Sequence, residues 1–333
     1  MRALVLHHTG PIESSPLQME EIAAPEPAAD EVRLKVRCCA ICRTDLHIIE
    51  GELPTADLLP IVPGHQVVGI VDEVGSECVR LKPGVRVGVA WLRHTCGVCR
   101  FCTSGRENLC PSSEYTGYHA PGGYAEYATV PEDFAYELPE VFSDIEAAPL
   151  LCAGLIGYRA FKRANVPPEG TLAIFGFGSS AHVVIQVAVH RGHDVYVVSR
   201  NPSHQHLARE LGAAWAGFDP AQMPSKVDSA ILFAPAGSLV PTALDALDRG
   251  GTLSLAGIHM SPIPTLDYDK YLFYERDIHP VTANTRQDAR ELLEEAARIP
   301  VRPHTVSYRL EEGNRALQDM KAGKIDGTGV LVV

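Results

Sequence analysis

The sequence predicts an α/β chain in two parts: a β-rich body carrying an inserted cysteine loop, and a doubly wound domain built on a parallel sheet. Three observations predict it. Up to about residue 141, strand-like runs are short and broken by Gly and Pro. From about residue 150, apolar runs alternate with helical pattern, which implies a parallel sheet with right-handed crossovers. The closing residues lack that alternation and are assigned back to the first part. At 333 residues and 46% hydrophobic content the chain can bury two cores. The expected boundaries are 1–149, 150–285 and 286–333.

In the first part, residues 31–36 alternate apolar and polar side chains as a half-buried strand does, and 67–74 and 85–91 read as further strands. In the second, a strand at 172–175 leads to a helix at 181–190, a strand at 195–199 and a helix at 204–211. Strands at 229–233 and 252–256 flank a helical segment at 239–247, which the Gly250-Gly251 pair is expected to end. A helix at 288–298, a Pro-punctuated strand region, an amphipathic helix near 312–322 and a strand at 330–333 close the chain.

Charge excludes two classes of partner. With 29 basic and 41 acidic residues the formal charge is -12, and no Lys/Arg run marks a nucleic-acid or anionic-membrane surface. The apolar opening is cut short by His7 and His8, too early for a signal peptide, and no later stretch could span a bilayer as a helix. A cytoplasmic protein is expected. Nine cysteines is an odd count, and in a reducing compartment several at ligand spacing read as thiolates rather than disulfides.

Cys96, Cys99, Cys102 and Cys110 have the spacing of a four-thiolate shell around one tetrahedral zinc. Such a shell has no open position, so it staples a loop and does no chemistry. An iron–sulfur run shares the first three spacings but closes after three residues, whereas seven separate Cys102 from Cys110.

The strand at 172–175 runs into Gly176-Phe177-Gly178-Ser179-Ser180-Ala181, a G-x-G-x-x-A turn opening a helix. Its glycines allow close backbone approach to a pyrophosphate seated on the helix N-terminus; the plainer alternative is a tight strand–helix turn. At the tip of the second strand an NAD site would present an acidic residue. Here stand Ser199 and Arg200, a hydroxyl beside a guanidinium, which suits a 2′-phosphate and favours NADP(H) over NAD(H). The alternative is that Arg200 is a solvated side chain near the adenine.

Three further segments complete an ordered set: Cys42-Arg43-Thr44-Asp45-Leu46-His47, Gly64-His65-Gln66 running to Gly69, and Leu151-Cys152-Ala153-Gly154. With the cysteine loop and the glycine turn, they make the chain resemble the zinc-dependent medium-chain alcohol dehydrogenases over essentially its whole length. The resemblance implies a GroES-like catalytic domain, a Rossmann domain and two zinc ions per chain. Cys42, His65 and Cys152 would hold a catalytic zinc with an open fourth position. Hydride would pass between a small alcohol, aldehyde or ketone and a nicotinamide, in a homodimer or homotetramer.

The same resemblance assigns roles residue by residue. Thr44 would hydrogen-bond the zinc-bound oxygen and pass its proton by way of the cofactor ribose to His47, Asp45 would orient His65, and Arg43 would approach the cofactor pyrophosphate. Trp91 and Tyr118, with His119, would line a pocket favouring small or flat apolar alcohols over polyols. The chain also departs from the family pattern. Gln66 stands where Glu is common, Ala181 where Gly is commoner, and residues 323–328 lack an Arg that some members use on the pyrophosphate. A reductase of conjugated aldehydes is the nearest rival reading. A non-enzymatic, zinc-stapled nucleotide-binding protein is the more distant one, opposed by the intact set Cys42, Thr44, His47, His65 and Cys152.

Overall fold

The structure, a computed structural model, describes every residue except Thr55, Ile258, His259 and Pro300, and all side chains of the rest but that of Ala56. The chain forms two compact units. One comprises Met1–Cys152, Ala283–Ala297 and Pro303–Val333, the other Ala153–Thr282 and Arg298–Arg302. The first crossing therefore lies at Cys152/Ala153, where a new helix, Ala153–Ala164, begins. Arg298–Arg302 groups with the second unit, not with the returning segment as the sequence suggested. The cause is local: Gln186 accepts from the Arg302 amide at 2.9 Å and donates to the Arg302 carbonyl at 3.3 Å, tying that stretch to the Ser179–His190 helix.

The first unit is organised around the strand Glu31–Ala40. It pairs antiparallel with Gln66–Val74, Tyr127–Pro131 and Thr328–Val332 inside a seven-stranded sheet. Val32, Leu34 and Val36 alternate inward as expected, but Cys38, Cys39 and Ala40 are all buried. The strand outlasts its alternating part because its end is covered on both faces, and it delivers the chain directly to the helix Arg43–Ile49. The strand foreseen at 85–91 stops at Val89. Leu92–His94 instead pairs with Glu114–Tyr115, leaving Trp91 between two sheets with its carbonyl bonded to the Thr116 amide at 2.9 Å.

The second unit holds a six-stranded parallel sheet, ordered Trp215–Gly217, Asp194–Val198, Thr171–Phe175, Val227–Leu232, Leu247–Leu255, Asp277–Pro280. Leu172, Ala173, Ile174 and Phe175 are at most 1% exposed, as central strands covered on both faces must be. Strand order reverses beside Thr171–Phe175, the switch point where this architecture opens a crevice at the C-terminal strand ends. One expectation fails. Gly250-Gly251 does not end a helix: the helix is Val240–Ala246, and Leu247 is already extended and paired with Val227. Leu247 is fully buried, so packing draws it into the sheet, and Gly250, at φ +73°, lies within a bulged strand. Among the described residues no helix is long and apolar enough to cross a membrane.

Candidate active site and metal centres

Cys42 sits in extended conformation (φ -137°, ψ 159°) at the N-cap of Arg43–Ile49, where its amide donates to Asp45 Oδ2 at 2.8 Å. That capping bond holds the side chain of Cys42 at the helix mouth. Asp45 is fully buried and its other oxygen meets His65 Nδ1 at 2.7 Å. The arrangement fixes the tautomer of His65, since a carboxylate can only accept. His65 Nε2 is then the acceptor nitrogen, buried and without a hydrogen-bond partner among the described residues. Cys152 ends the turn Ala148–Leu151 and brings its sulfur to 3.9 Å from Cys42 Sγ. The three ligand atoms lie within 4.8 Å of one another.

These separations test the donor set against zinc. Zn–S bonds of about 2.3 Å in a tetrahedron put two sulfurs about 3.8 Å apart, whereas a disulfide needs about 2.0 Å. The Cys42–Cys152 pair matches the first, and all nine cysteines are free. Two sulfurs and a lone imidazole nitrogen make a three-ligand set with room for a fourth. The hydrogen bond with Cys152 pulls the Cys42 thiol well below its ordinary value, helped against burial by His65, while the same bond and burial push Cys152 well above. Burial opposes charge on His65, but Asp45 and Cys42 outweigh it and raise the imidazole to about 10, so a metal seated on Nε2 would have to displace a proton there.

Thr44 is 1% exposed, with its hydroxyl 3.7 Å from Cys42 Sγ. His47 lies one helical turn further on the same face. It is only 13% exposed, less open than a surface residue, and Glu52 holds its Nδ1. Arg43 is exposed. Gln66, 1% exposed, spends its amide nitrogen on the Ile41 carbonyl at 3.2 Å.

Trp91 packs edge-on against His65, ring centroids 5.0 Å apart, and stacks on Tyr115 at 4.8 Å and Tyr118 at 5.9 Å. Tyr118 is pinned by a 2.6 Å bond to the Pro54 carbonyl and meets the His119 ring at 4.5 Å. The result is a stack of near-parallel rings that meets His65 edge-on.

In the cysteine loop the sulfurs of Cys96 and Cys110 are 3.6 Å apart, those of Cys99 and Cys102 3.5 Å, and those of Cys96 and Cys102 4.0 Å. All four lie within 4.8 Å of one another, again the spacing of thiolates around one ion. Backbone amides of Val98 and Cys99 pull the Cys96 thiol down to about 6, while desolvation and Cys99 push Cys102 up to about 11. Between Cys102 and Cys110, Glu107 is clamped by Arg286, which donates its amide (2.7 Å), Nε (3.0 Å) and Nη2 (2.7 Å) and lies over the Phe134 ring at 4.7 Å.

In the second unit, Gly176 turns the chain at φ +87°, and a Cβ there would sit 3.1 Å from the Ala234 amide nitrogen. Gly178 caps the helix that starts at Ser179 and has open space where a Cβ would stand, so backbone can approach a ligand. Ser180 is partly exposed and Ala181 fully buried. Ser199 is 8% exposed, its hydroxyl accepting from the Asn201 amide at 3.3 Å, while Arg200 is exposed and makes no hydrogen bond or ion pair with a described residue.

Two family models match the chain: an alcohol dehydrogenase GroES-like domain over residues 28–140 and a zinc-binding dehydrogenase over 181–298. The chain belongs to the zinc-dependent medium-chain alcohol dehydrogenase family. Among its relatives, the "Probable alcohol dehydrogenase AdhA" of Mycobacterium tuberculosis is 49% identical over 338 residues, covering 100% of this chain and 97% of that one. An alcohol dehydrogenase of Geobacillus stearothermophilus is 36% identical over 323 residues, 95% of each. Of solved structures, a cinnamyl alcohol dehydrogenase from Sorghum bicolor superposes with a TM-score of 0.90 at 28% identity, covering 99% of this chain and 97% of that one. The GroES-like and Rossmann units described above are the two domains of this family.

Three participants escaped the sequence reading. Tyr124 donates to Asp45 Oδ2 at 3.0 Å from a fully buried position. Glu52 holds His47, and the Glu107–Arg286 pair ties the cysteine loop to the returning segment. Gly122-Gly123 before Tyr124 was a signal for close backbone approach; nothing local pointed to the other two.

Proposed function

We propose that this family member is a zinc-dependent alcohol dehydrogenase or aldehyde reductase that prefers NADP(H), carries two zinc ions per chain, and works in the cytoplasm as a homodimer or homotetramer. One observation carries the reading: Cys42, His65 and Cys152 converge within 4.8 Å in a buried setting, with His65 Nε2 unpartnered among the described residues. Zinc held there would supply Lewis acidity toward the substrate oxygen, and the nicotinamide would supply or accept hydride.

The chain's own residues account for the rest. Asp45 keeps the proton on His65 Nδ1 and so presents Nε2 as a lone pair. Thr44, shielded from solvent, takes up the proton of the substrate hydroxyl through its own. His47 passes that proton outward, as an imidazole can near neutral pH, with Glu52 holding its Nδ1. Arg43 offers an exposed charge to the pyrophosphate, and the turn Gly176, Gly178, Ser179, Ser180 and Ala181 offers its amides. Ser199 and the exposed Arg200, which has no ion-pair partner among the described residues, support a 2′-phosphate.

The Trp91–Tyr115–Tyr118 stack supports small or flat apolar substrates. The same flatness favours a second reading, reduction of a conjugated aldehyde. Zinc analysis with a panel of alcohols and aldehydes, each assayed with NADPH and NADH, tests the proposal. It expects about two zinc per chain and NADPH-linked turnover; a folded protein with one zinc and no turnover of any substrate would sink it.

A further inference from the structure

We propose that Tyr124 is a positioning residue for the metal ligand His65, acting through the carboxylate of Asp45. The inference rests on the reading of Cys42, His65 and Cys152 as a zinc site. Asp45 is fully buried and meets three groups: His65 Nδ1 on Oδ1 at 2.7 Å, and the Cys42 amide and the Tyr124 hydroxyl on Oδ2 at 2.8 and 3.0 Å. Because an ionised carboxylate only accepts, Tyr124 must be the donor. A single bond from the Cys42 amide would leave the carboxylate free to turn about its axis. The second donor on the same oxygen fixes its plane, and with it the direction in which Oδ1 faces the imidazole.

Tyr124 can do this because it is held against the very arm that carries His65. The Gly122, Gly123 and Tyr124 amides bond the carbonyls of Val62, Gly64 and Pro63 at 2.7, 2.9 and 3.0 Å, zipping residues 122–124 to the residues just before the ligand. The tyrosine ring fills the space a side chain at Gly64 would need: a Cβ there would fall 2.4 Å from Tyr124 Cδ1. Tyr124 is itself 0% exposed. A phenol so buried costs stability unless its hydroxyl is bonded, and Asp45 is the partner the structure gives it. Phenylalanine would fill the same apolar space, so the hydroxyl is what acts on the ligand.

Tyr124→Phe keeps the ring and removes only that bond. In the metal-replete enzyme, a chelator should withdraw zinc from the catalytic site on the order of tenfold faster than in wild type, the scale at which partners of metal-ligating histidines act. The four-cysteine zinc should be retained, and the melting temperature should fall by only a few degrees, the cost of one buried hydrogen bond. With cobalt at the catalytic site, the visible spectrum should shift, a signature that loosened packing elsewhere would not produce. In an Asp45→Asn background, Tyr124→Phe should add nothing further. Unchanged release with an unchanged cobalt spectrum, equal acceleration at both metal sites, or full additivity with Asp45→Asn would each overturn the role of Tyr124. A wild type holding zinc only on the four cysteines would instead overturn the catalytic-zinc reading beneath it.

Discussion

Glu107→Gln should lower the melting temperature of the first unit by about 4–12 °C at pH 7. The carboxylate of Glu107 is 10% exposed and accepts from the Arg286 amide, Nε and Nη2, a two-pronged guanidinium fork plus a backbone donor. Removing one partner of a buried, hydrogen-bonded pair costs about 3–5 kcal/mol. Here Arg286 is 26% exposed, retains Asp133 at 3.2 Å and keeps its place over Phe134, so about 2–3 kcal/mol is the better figure once solvent screening is counted. At about 2–4 °C per kcal/mol for a unit of this size, the shift follows. Its pH dependence has a definite sign. Burial alone would raise the pKa of Glu107, but the Arg286 bonds and charge overcome it and hold the carboxyl below its ordinary value. The contribution is therefore complete above the unfolded value of about 4.3 and is lost as pH falls through the lower folded one. Thermal melts followed by circular dichroism, wild type against variant from pH 7 downward, should show a constant gap that closes below about pH 4. Acid also strips metal from thiolates, so the reading is the gap between the two proteins at each pH. A gap that widens toward pH 4, or a variant melting within about 1 °C of wild type at pH 7, would refute the reasoning.

The two metal sites should fail differently: Cys99→Ser should lower yield or thermal stability, and Cys42→Ala should abolish turnover in a folded protein that has lost one zinc by elemental analysis. His47→Gln should slow alcohol oxidation most at low pH and be partly rescued by imidazole buffer, and an unchanged pH–rate profile would remove His47 from the proton path. Arg200→Ala should raise KM for NADPH about tenfold and leave NADH nearly unaffected, as loss of one exposed charge-assisted contact predicts; Ser199→Asp should reverse the preference. A wild type already favouring NADH in side-by-side kinetics would overturn that cofactor assignment.

What could be read from the sequence follows the distance over which each feature is encoded. The cysteine loop was legible because its four ligands share one short stretch, and the glycine turn because strand, turn and helix are consecutive. Cys42 and Cys152 are 110 residues apart, and no periodicity joins them; only the ordered family pattern did. Tyr124 lies 79 residues from Asp45 and Arg286 179 from Glu107, and each pairing exists only once the sheet around Glu31–Ala40 has closed. The misjudged glycine pair has the same origin. Gly250-Gly251 is locally a helix stop, but the burial of Leu247 is a property of the folded sheet, and tertiary packing overrode the local signal.

The choice among neighbouring cysteines makes the same point at the level of chemistry. Cys38, Cys39 and Cys42 stand within five positions of one another, and composition cannot say which is the ligand. The fold separates them by environment. Cys38 and Cys39 end a strand buried on both faces; desolvation, with Asp144 nearby, pushes the first up to about 12, and burial beside Asp45 pushes the second well above its ordinary value. Both are held as neutral thiols, small apolar packing groups in effect. Cys42 is less enclosed and lies past the strand end at a helix mouth, where Cys152, His65 and the Thr44 amide all favour its thiolate. A thiolate is what a metal binds. The same four-residue helix opening that lowers Cys42 also places Arg43 in solvent, Thr44 beside the sulfur and Asp45 under His65.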